Sequence, residues 1–253
     1  MPLDFSESSD PSAPAFNFCA YSGEYLEQLS DMSGIDLKLI DTYDDFEKSK
    51  YLCAWAHSQW RHNGFNTPLR GDPLSILSEA REGKRFRCVE YSILLQAIMC
   101  AAGIRGRVLY LRTEDVENRK VGAGHVVVES FSEIHKKWIM LDPQNNAYAE
   151  AEGLPLNALE LGMTLENAPE SVSFPGIGRY FRKKYIQFIQ PYLYYFHTDI
   201  EMVYPQNYPR TQVVLMPIGS KVPEKFQGIP IEEVLIPTNS YFSFYPGQDK
   251  FHF

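Results

Sequence analysis

Residues 83–103 read GKRFRCVEYSILLQAIMCAAG, and this stretch decides the architecture. From Cys88 to Ala102 only Glu90, Ser92 and Gln96 are plainly polar. A helix apolar on nearly every side belongs inside a protein, and Gly103 supplies the left-handed residue that ends it. The spacing predicts a long buried helix with Cys88 in its first turn. A thiol at that end meets unpaired backbone N–H groups and the positive end of the macrodipole, which favour thiolate over thiol. Arg85 and Arg87 add cationic charge beside it. A lone cysteine in such a place is more often a small buried hydrophobe, but residues downstream reverse that reading.

Upstream, helix signals follow one another closely. A short helix is expected over Glu24 to Met32, and a longer one from Thr42 to about His62, with Asp44 and Asp45 in its acidic first turn. Asn63-Gly64 stops it. In RGDPLSILSEAREG, Asp72 is an N-cap, Pro73 sits at the first helical position and Gly83 closes the turn. Downstream of Gly103 the period becomes alternating. Arg107 to Leu111, Gly124 to Phe131 and WIMLDP ending at Pro143 read as three strands of an antiparallel meander. Helices followed by strands make the fold class α+β. Farther on, PLNALEL reads as a helical turn or two, and Gly178 to Ile189 as a helix stopped by Pro191. Thr211 to Met216 and Tyr241 to Tyr245 alternate like short strands between prolines.

Composition sets limits on function. Of 253 residues 44% are apolar and 22% charged, an ordinary globular balance. The net charge of −8 leaves no electrostatic footprint for nucleic acid, and no apolar run is long enough to span a bilayer. Cysteines at 19, 53, 88 and 100 are too widely spaced for a CxxC metal knuckle and do not suggest a disulfide framework. Residues 1–17, rich in Ser, Pro and Asp, read as disordered or extended and lack a signal-peptide pattern, so a cytoplasmic, reduced protein is the expectation.

Three residue types stand where a cysteine hydrolase needs them. Cys88 opens a helix, His125 heads a strand after Gly124, and Asp142 ends the next strand. On neighbouring antiparallel strands, His125 and Asp142 meet on one face, shared with Val127, Glu129, Met140 and Trp138. A thiol attacking an acyl carbon needs a base, and imidazole serves and later protonates the leaving amine. A carboxylate behind it fixes the tautomer. Backbone N–H groups at the helix start would hold the oxyanion, with Asn63 or Trp60 as possible side-chain donors.

The run FRCVEYSILLQAIMCAAGIRGRVLYL, then GHVVVES, then KWIMLDPQ, resembles the core of the transglutaminase-like superfamily over roughly residues 60–147. The resemblance makes Cys88, His125 and Asp142 the catalytic positions and Gly103, Ile104, Arg107, Glu129, Trp138 and Pro143 structural ones. It implies a papain-like α+β fold, with the nucleophile's helix packed on an antiparallel sheet. The expected organisation is one transglutaminase-like domain over 1–253, with a catalytic core at 18–150 and a C-terminal extension at 151–253. The implied reaction is attack on an amide of a peptide, protein or peptidoglycan substrate through an acyl-thioester, with no cofactor and no metal. Bacterial-type single-domain relatives look like hydrolases, and the chain is short for the accessory domains of animal transglutaminases, so peptidase or amidase action is expected over cross-linking.

Rival readings of the same residues are a zinc site of Cys88, His125 and Asp142 with His135, which lacks any short-spaced ligand pair, and a catalytically silent binding or scaffold protein whose extension blocks the cleft. His57 and His62 read as ordinary helix histidines. Cys53 and Cys100 read as structural, the YLYYF run at 192–196 as core packing before a groove wall, and Glu90 as a bridge to a basic neighbour before a tuner of the site.

Overall fold

Capping residues place the N-terminal helices. The Ser22 side chain accepts from the Tyr25 N–H to start α1 (Gly23–Ser33), which Gly34 ends at φ 71°. The Asp44 carboxylate accepts from the N–H groups of Phe46 and Glu47 to start α2 (Asp45–Ser58). The helix expected over 42–62 is therefore shorter at both ends. Residues 39–42 form a separate 3₁₀ turn, Asp44 caps where a first-turn place was expected, and the chain leaves the helix after Ser58. The reason lies just beyond: Trp60 turns into the core over Tyr91 and Phe86, and the Asn63 N–H donates to the Phe86 carbonyl. His62 consequently sits in a loop. Asp72 accepts from Ser75 N–H to start α3 (Pro73–Arg81), as expected. The structure is a computed structural model that describes residues 3–252, the side chain of Arg179 apart. Met1, Pro2 and Phe253 of the expected 1–253 unit lie outside the described residues.

α4 (Cys88–Ala101) is buried without a break from Glu90 to Cys100, and its polar residues find partners. Ser92 donates to the Val126 carbonyl at 3.0 Å and Gln96 to the Phe18 carbonyl at 2.9 Å. The meander follows as β1 (Gly106–Arg112), β2 (Gly124–Ser132), β3 (Lys137–Asp142) and β4 (Ala147–Tyr148). Its free edge at β1 is taken by β5 (Tyr195–Asp199), then β6 (Thr211–Leu215) and β7 (Val234–Thr238), giving the order β7-β6-β5-β1-β2-β3-β4. All neighbours are antiparallel except β6 and β7.

α4 covers one face of β1 and β2, packing on Val108, Tyr110, Val126 and Val128. On the other face, Leu109, Leu111, Val127, Trp138 and Met140 pack against α5 (Ala158–Asn167) and α6 (Arg179–Ile189). The fold is α+β, with the nucleophile's helix against an antiparallel sheet, as expected. One C-terminal expectation fails. Residues 241–245 make the short helix α7 (Tyr241–Phe244), capped by Ser240, where a strand was read. Aromatic alternation there serves packing of Tyr241, Phe244 and Tyr245 into the core. Of the two alternatives for the N-terminal segment, residues 3–17 take the extended one. Asn17 exchanges backbone bonds with Ile200 and Met202, and Ser6 N–H donates to the Asn239 carbonyl. That strap brings Cys19 to the last turn of α4, where it forms a disulfide with Cys100 at a Cα–Cα distance of 5.8 Å. Cys100 is structural, as read, but through a disulfide that the cysteine spacing did not suggest; partners 81 residues apart leave no spacing signature. Among the described residues no helix is long and apolar enough to cross a membrane.

Candidate active site

Three elements converge at the start of α4. Arg87, the residue before Cys88, is clamped by Glu90. Its backbone N–H donates to Glu90 Oε2 at 3.0 Å and its guanidinium to Oε1 at 2.6 Å. A carboxylate in the third helical position also offsets the exposed N–H groups and the dipole there. Glu90 thus holds the turn that presents Cys88, whose side chain remains partly exposed. The second element is β2. Its register with β3 pairs Val128 with Leu141 and Glu129 with Met140, so Asp142 lies diagonally across from His125 on the same face. His125 Nε2 and Asp142 Oδ2 are 2.8 Å apart.

Burial opposes charge on the His125 ring, yet the Asp142 carboxylate, by charge and hydrogen bond, and a hydrogen bond with Cys88 outweigh it. The imidazole pKa rises to about 10. Burial works against ionised Asp142 too, and the charge of His125 with donors from His125, Asn145 and Tyr185 lowers its pKa below the usual value. Because Nε2 is held by Asp142, Nδ1 is the ring nitrogen left to face the sulfur.

The third element is α6, which was not read as part of any site, with the turn after it, where the YLYYF run had a groove wall as its second reading. Tyr185 donates to Asp142 Oδ2 at 2.9 Å, and Asn145, in the turn after β3, donates through Nδ2 to the same oxygen at 2.8 Å. Phe188 packs edge-on to the His125 ring at 4.9 Å, and Tyr192 lies 5.8 Å from it. Of the YLYYF run, Tyr192 therefore walls the site while Tyr195 and Phe196 belong to the core. The only sequence trace of these partners was the apolar face of the 178–189 helix, which marks burial and not what the helix is buried against.

The remaining candidates separate by position. Trp60 is buried, its indole stacked near Tyr91 at 4.3 Å, and its Nε1–H has no hydrogen-bond partner among the described residues. Asn63 uses its side-chain oxygen to accept from the N–H groups of Phe65 and Asn66, a loop-shaping role. Trp138 is not beside the site. It lies four residues back along β3 from Asp142, roughly 13 Å at the rise of a strand. There it packs against Phe131 and the Arg107 guanidinium and donates from Nε1 to the Pro246 carbonyl. Its position beside an Asp-ending strand suggested proximity, but extended geometry carries it away. His135 binds Ser132 Oγ in the turn at the far end of the β2–β3 hairpin, away from Cys88. His57 lies near the Pro143 carbonyl at 3.1 Å. His62 is closer to the chemistry than expected: burial and the nearby positive charge of His125 lower its pKa.

A partly exposed thiol at a helix start thus stands beside a buried imidazole–carboxylate pair on an α+β frame. Residues 39–143 match the family model of the transglutaminase-like superfamily. No curated protein matches the chain. Solved structures similar to it include a "Putative Cysteine Protease from Cytophaga hutchinsonii" at 13% identity and a TM-score of 0.35. That alignment covers 56% of this chain and 46% of the other, so the chain spans about half the length of that relative.

Proposed function

We propose that Cys88, His125 and Asp142 act as nucleophile, base and orienting carboxylate in acyl transfer from an amide. The observation that carries this is the contact chain Cys88–His125–Asp142, with Asp142 held by three donors. His125 Nδ1 takes the thiol proton, and the sulfur bonds to the acyl carbon. The same proton passes to the amine as the C–N bond breaks, leaving an acyl-thioester. Unpaired N–H groups at the start of α4 and the free indole N–H of Trp60 are the donors we assign to the oxyanion. Water then attacks the thioester with His125 as base, releasing the acid. Partial exposure of Cys88 gives water access, which favours a peptidase or amidase over amine cross-linking and speaks against an occluded scaffold. The substrate class is a peptide, protein or peptidoglycan amide.

The test compares wild type with Cys88→Ala on a panel of peptides and peptidoglycan fragments, with acid-quench mass spectrometry for the thioester. Turnover and an acyl adduct on the Cys88 peptide in wild type alone are expected. Equal turnover by both proteins would sink the reading.

A further inference from the structure

A cavity of about 390 Å³ opens beside the His125–Asp142 pair, lined among others by Asn145, Ile177, Phe181, Lys184, Tyr185 and Phe188. It shares a wall with the reacting groups, because its lining residues Asn145 and Tyr185 bind Asp142 and Phe188 packs edge-on to the His125 ring. Of its lining residues only Lys184 carries charge. Lys184 is exposed and forms no ion pair or hydrogen bond with protein among the described residues; its ammonium stands 5.5 Å and 5.7 Å from the centres of the exposed Tyr180 and Phe181 rings.

The helix that carries it is anomalous for this chain. In a protein of net charge −8, α6 reads RYFRKKYIQFI, with four basic residues and no acidic one. They lie in its N-terminal half, Arg179 and Arg182 in the first turn, where the macrodipole disfavours cations. Arg182 has a structural use, donating to the Val172 carbonyl at 2.9 Å. Lys184 forms no such bond, and it stands on the wall of a cavity whose other lining residues contact His125 and Asp142.

We infer that this cavity is the subsite for a carboxylate of the substrate, with Lys184 as its specificity-determining cation and Phe181 and Phe188 packing the apolar part of the same residue. The inference rests on Cys88 being the nucleophile. The enzyme would then prefer amides that carry a carboxylate near the bond to be cleaved, from either an acidic side chain or a chain end.

Thiol labelling tests this without knowledge of the natural substrate. Rates of Cys88 alkylation by iodoacetate and iodoacetamide, which differ in charge, are followed by peptide mass mapping. In wild type the iodoacetate-to-iodoacetamide ratio should exceed that of glutathione and fall with added salt. Lys184→Gln should lower the ratio by roughly threefold to tenfold, Lys184→Glu should lower it further, and Lys184→Arg should preserve it. Lys184 is exposed, so these variants should fold, and iodoacetamide labelling at the wild-type rate shows that they do. In a second arm, N-acetylglutamine and the α-amide of N-acetylglutamate are compared as protectants with neutral N-acetylglutamine amide. Protection by the first assigns a terminal carboxylate and by the second a side-chain one; protection by both only at the neutral level overturns the subsite. A ratio unchanged by Lys184→Gln also overturns it. If instead Cys88 reacts with iodoacetamide no faster than glutathione in every variant, the nucleophile reading fails and the inference falls with it.

Discussion

One oxygen atom organises the site. Asp142 Oδ2 faces His125 Nε2, Asn145 Nδ2 and the Tyr185 hydroxyl, all within 2.9 Å. Burial alone would raise this carboxyl; the imidazolium and three donors reverse the effect. The Tyr185 hydroxyl is itself pushed well above its ordinary pKa by burial and by Asp142, so it remains a donor at any working pH. Asp142→Asn should cut kcat by about 10³- to 10⁴-fold, because the ring loses its tautomer and its charge partner. In that variant the alkaline limb of the rate profile, expected near the His125 value of about 10, should move toward the ordinary histidine range. Tyr185→Phe removes one hydrogen bond to a charged group, worth about 1.5–3 kcal/mol, and should slow turnover roughly ten- to a hundredfold with little change in KM. An unshifted alkaline limb in Asp142→Asn would show that the carboxylate does not set the imidazole.

The elements that carry these residues differ in how plainly the sequence announces them. α4 and β1 to β3 were legible because composition and end signals agreed: Gly103 ends one, and short apolar runs of β-formers such as VLYL, VVV and WIML mark the others. Cys88, His125 and Asp142 could be picked out for the same reason, each at an element's end. β5 and β7 were hidden among Tyr and Pro, and they become strands because β1 and β6 offer unpaired edges. Asn145, Tyr185 and Phe188 were illegible because only tertiary packing brings them to Asp142 and His125. The N-terminal strap is the sharpest case: a composition that reads as disordered or extended is held by backbone pairing with residues 200–202 and by the Cys19–Cys100 bond. Closing a loop of 81 residues limits the unfolded chain. Cys19→Ser should therefore lower stability by about 2–4 kcal/mol in urea unfolding. Because Cys100 lies in the last turn of the nucleophile's helix, far from Cys88, turnover at 25 °C should be unchanged. A variant as stable as the disulfide form would show that the strap contributes nothing.

At the scale of the whole molecule, the sheet runs without interruption from the matched core into the C-terminal extension. A fully buried pair, Arg107 and Glu129 at 2.7 Å, ties both sides to α7 and α5. Arg107 donates to the Phe244 carbonyl, and Glu129 accepts from Ala158 N–H. We infer that the core and extension fold as one unit, whose pH dependence is set by its buried histidines. His197, on β5, is wholly buried with neither ring nitrogen hydrogen-bonded in good geometry, and burial with the nearby Arg112 charge drives its pKa well below 6.5. It is neutral when folded, so below pH 6.5 the unfolded chain binds a proton that the folded one refuses, and stability falls as pH falls. His62, lowered also, adds in the same direction. His125 has the opposite sign. Its raised value gives stability that is complete below 6.5 and lost as pH rises through about 10. Asp142 matters only in stronger acid, below its ordinary range. Below pH 6.5 the slope from His197 is up to about 1.4 kcal/mol per pH unit. Urea unfolding at pH 5, 7 and 9.5 should show His197→Gln flattening the acid side alone, and His125→Gln flattening the alkaline side alone. An acid limb as steep in His197→Gln as in wild type would mean that the buried ring accepts its proton without unfolding, and the assignment of this limb to β5 would be wrong.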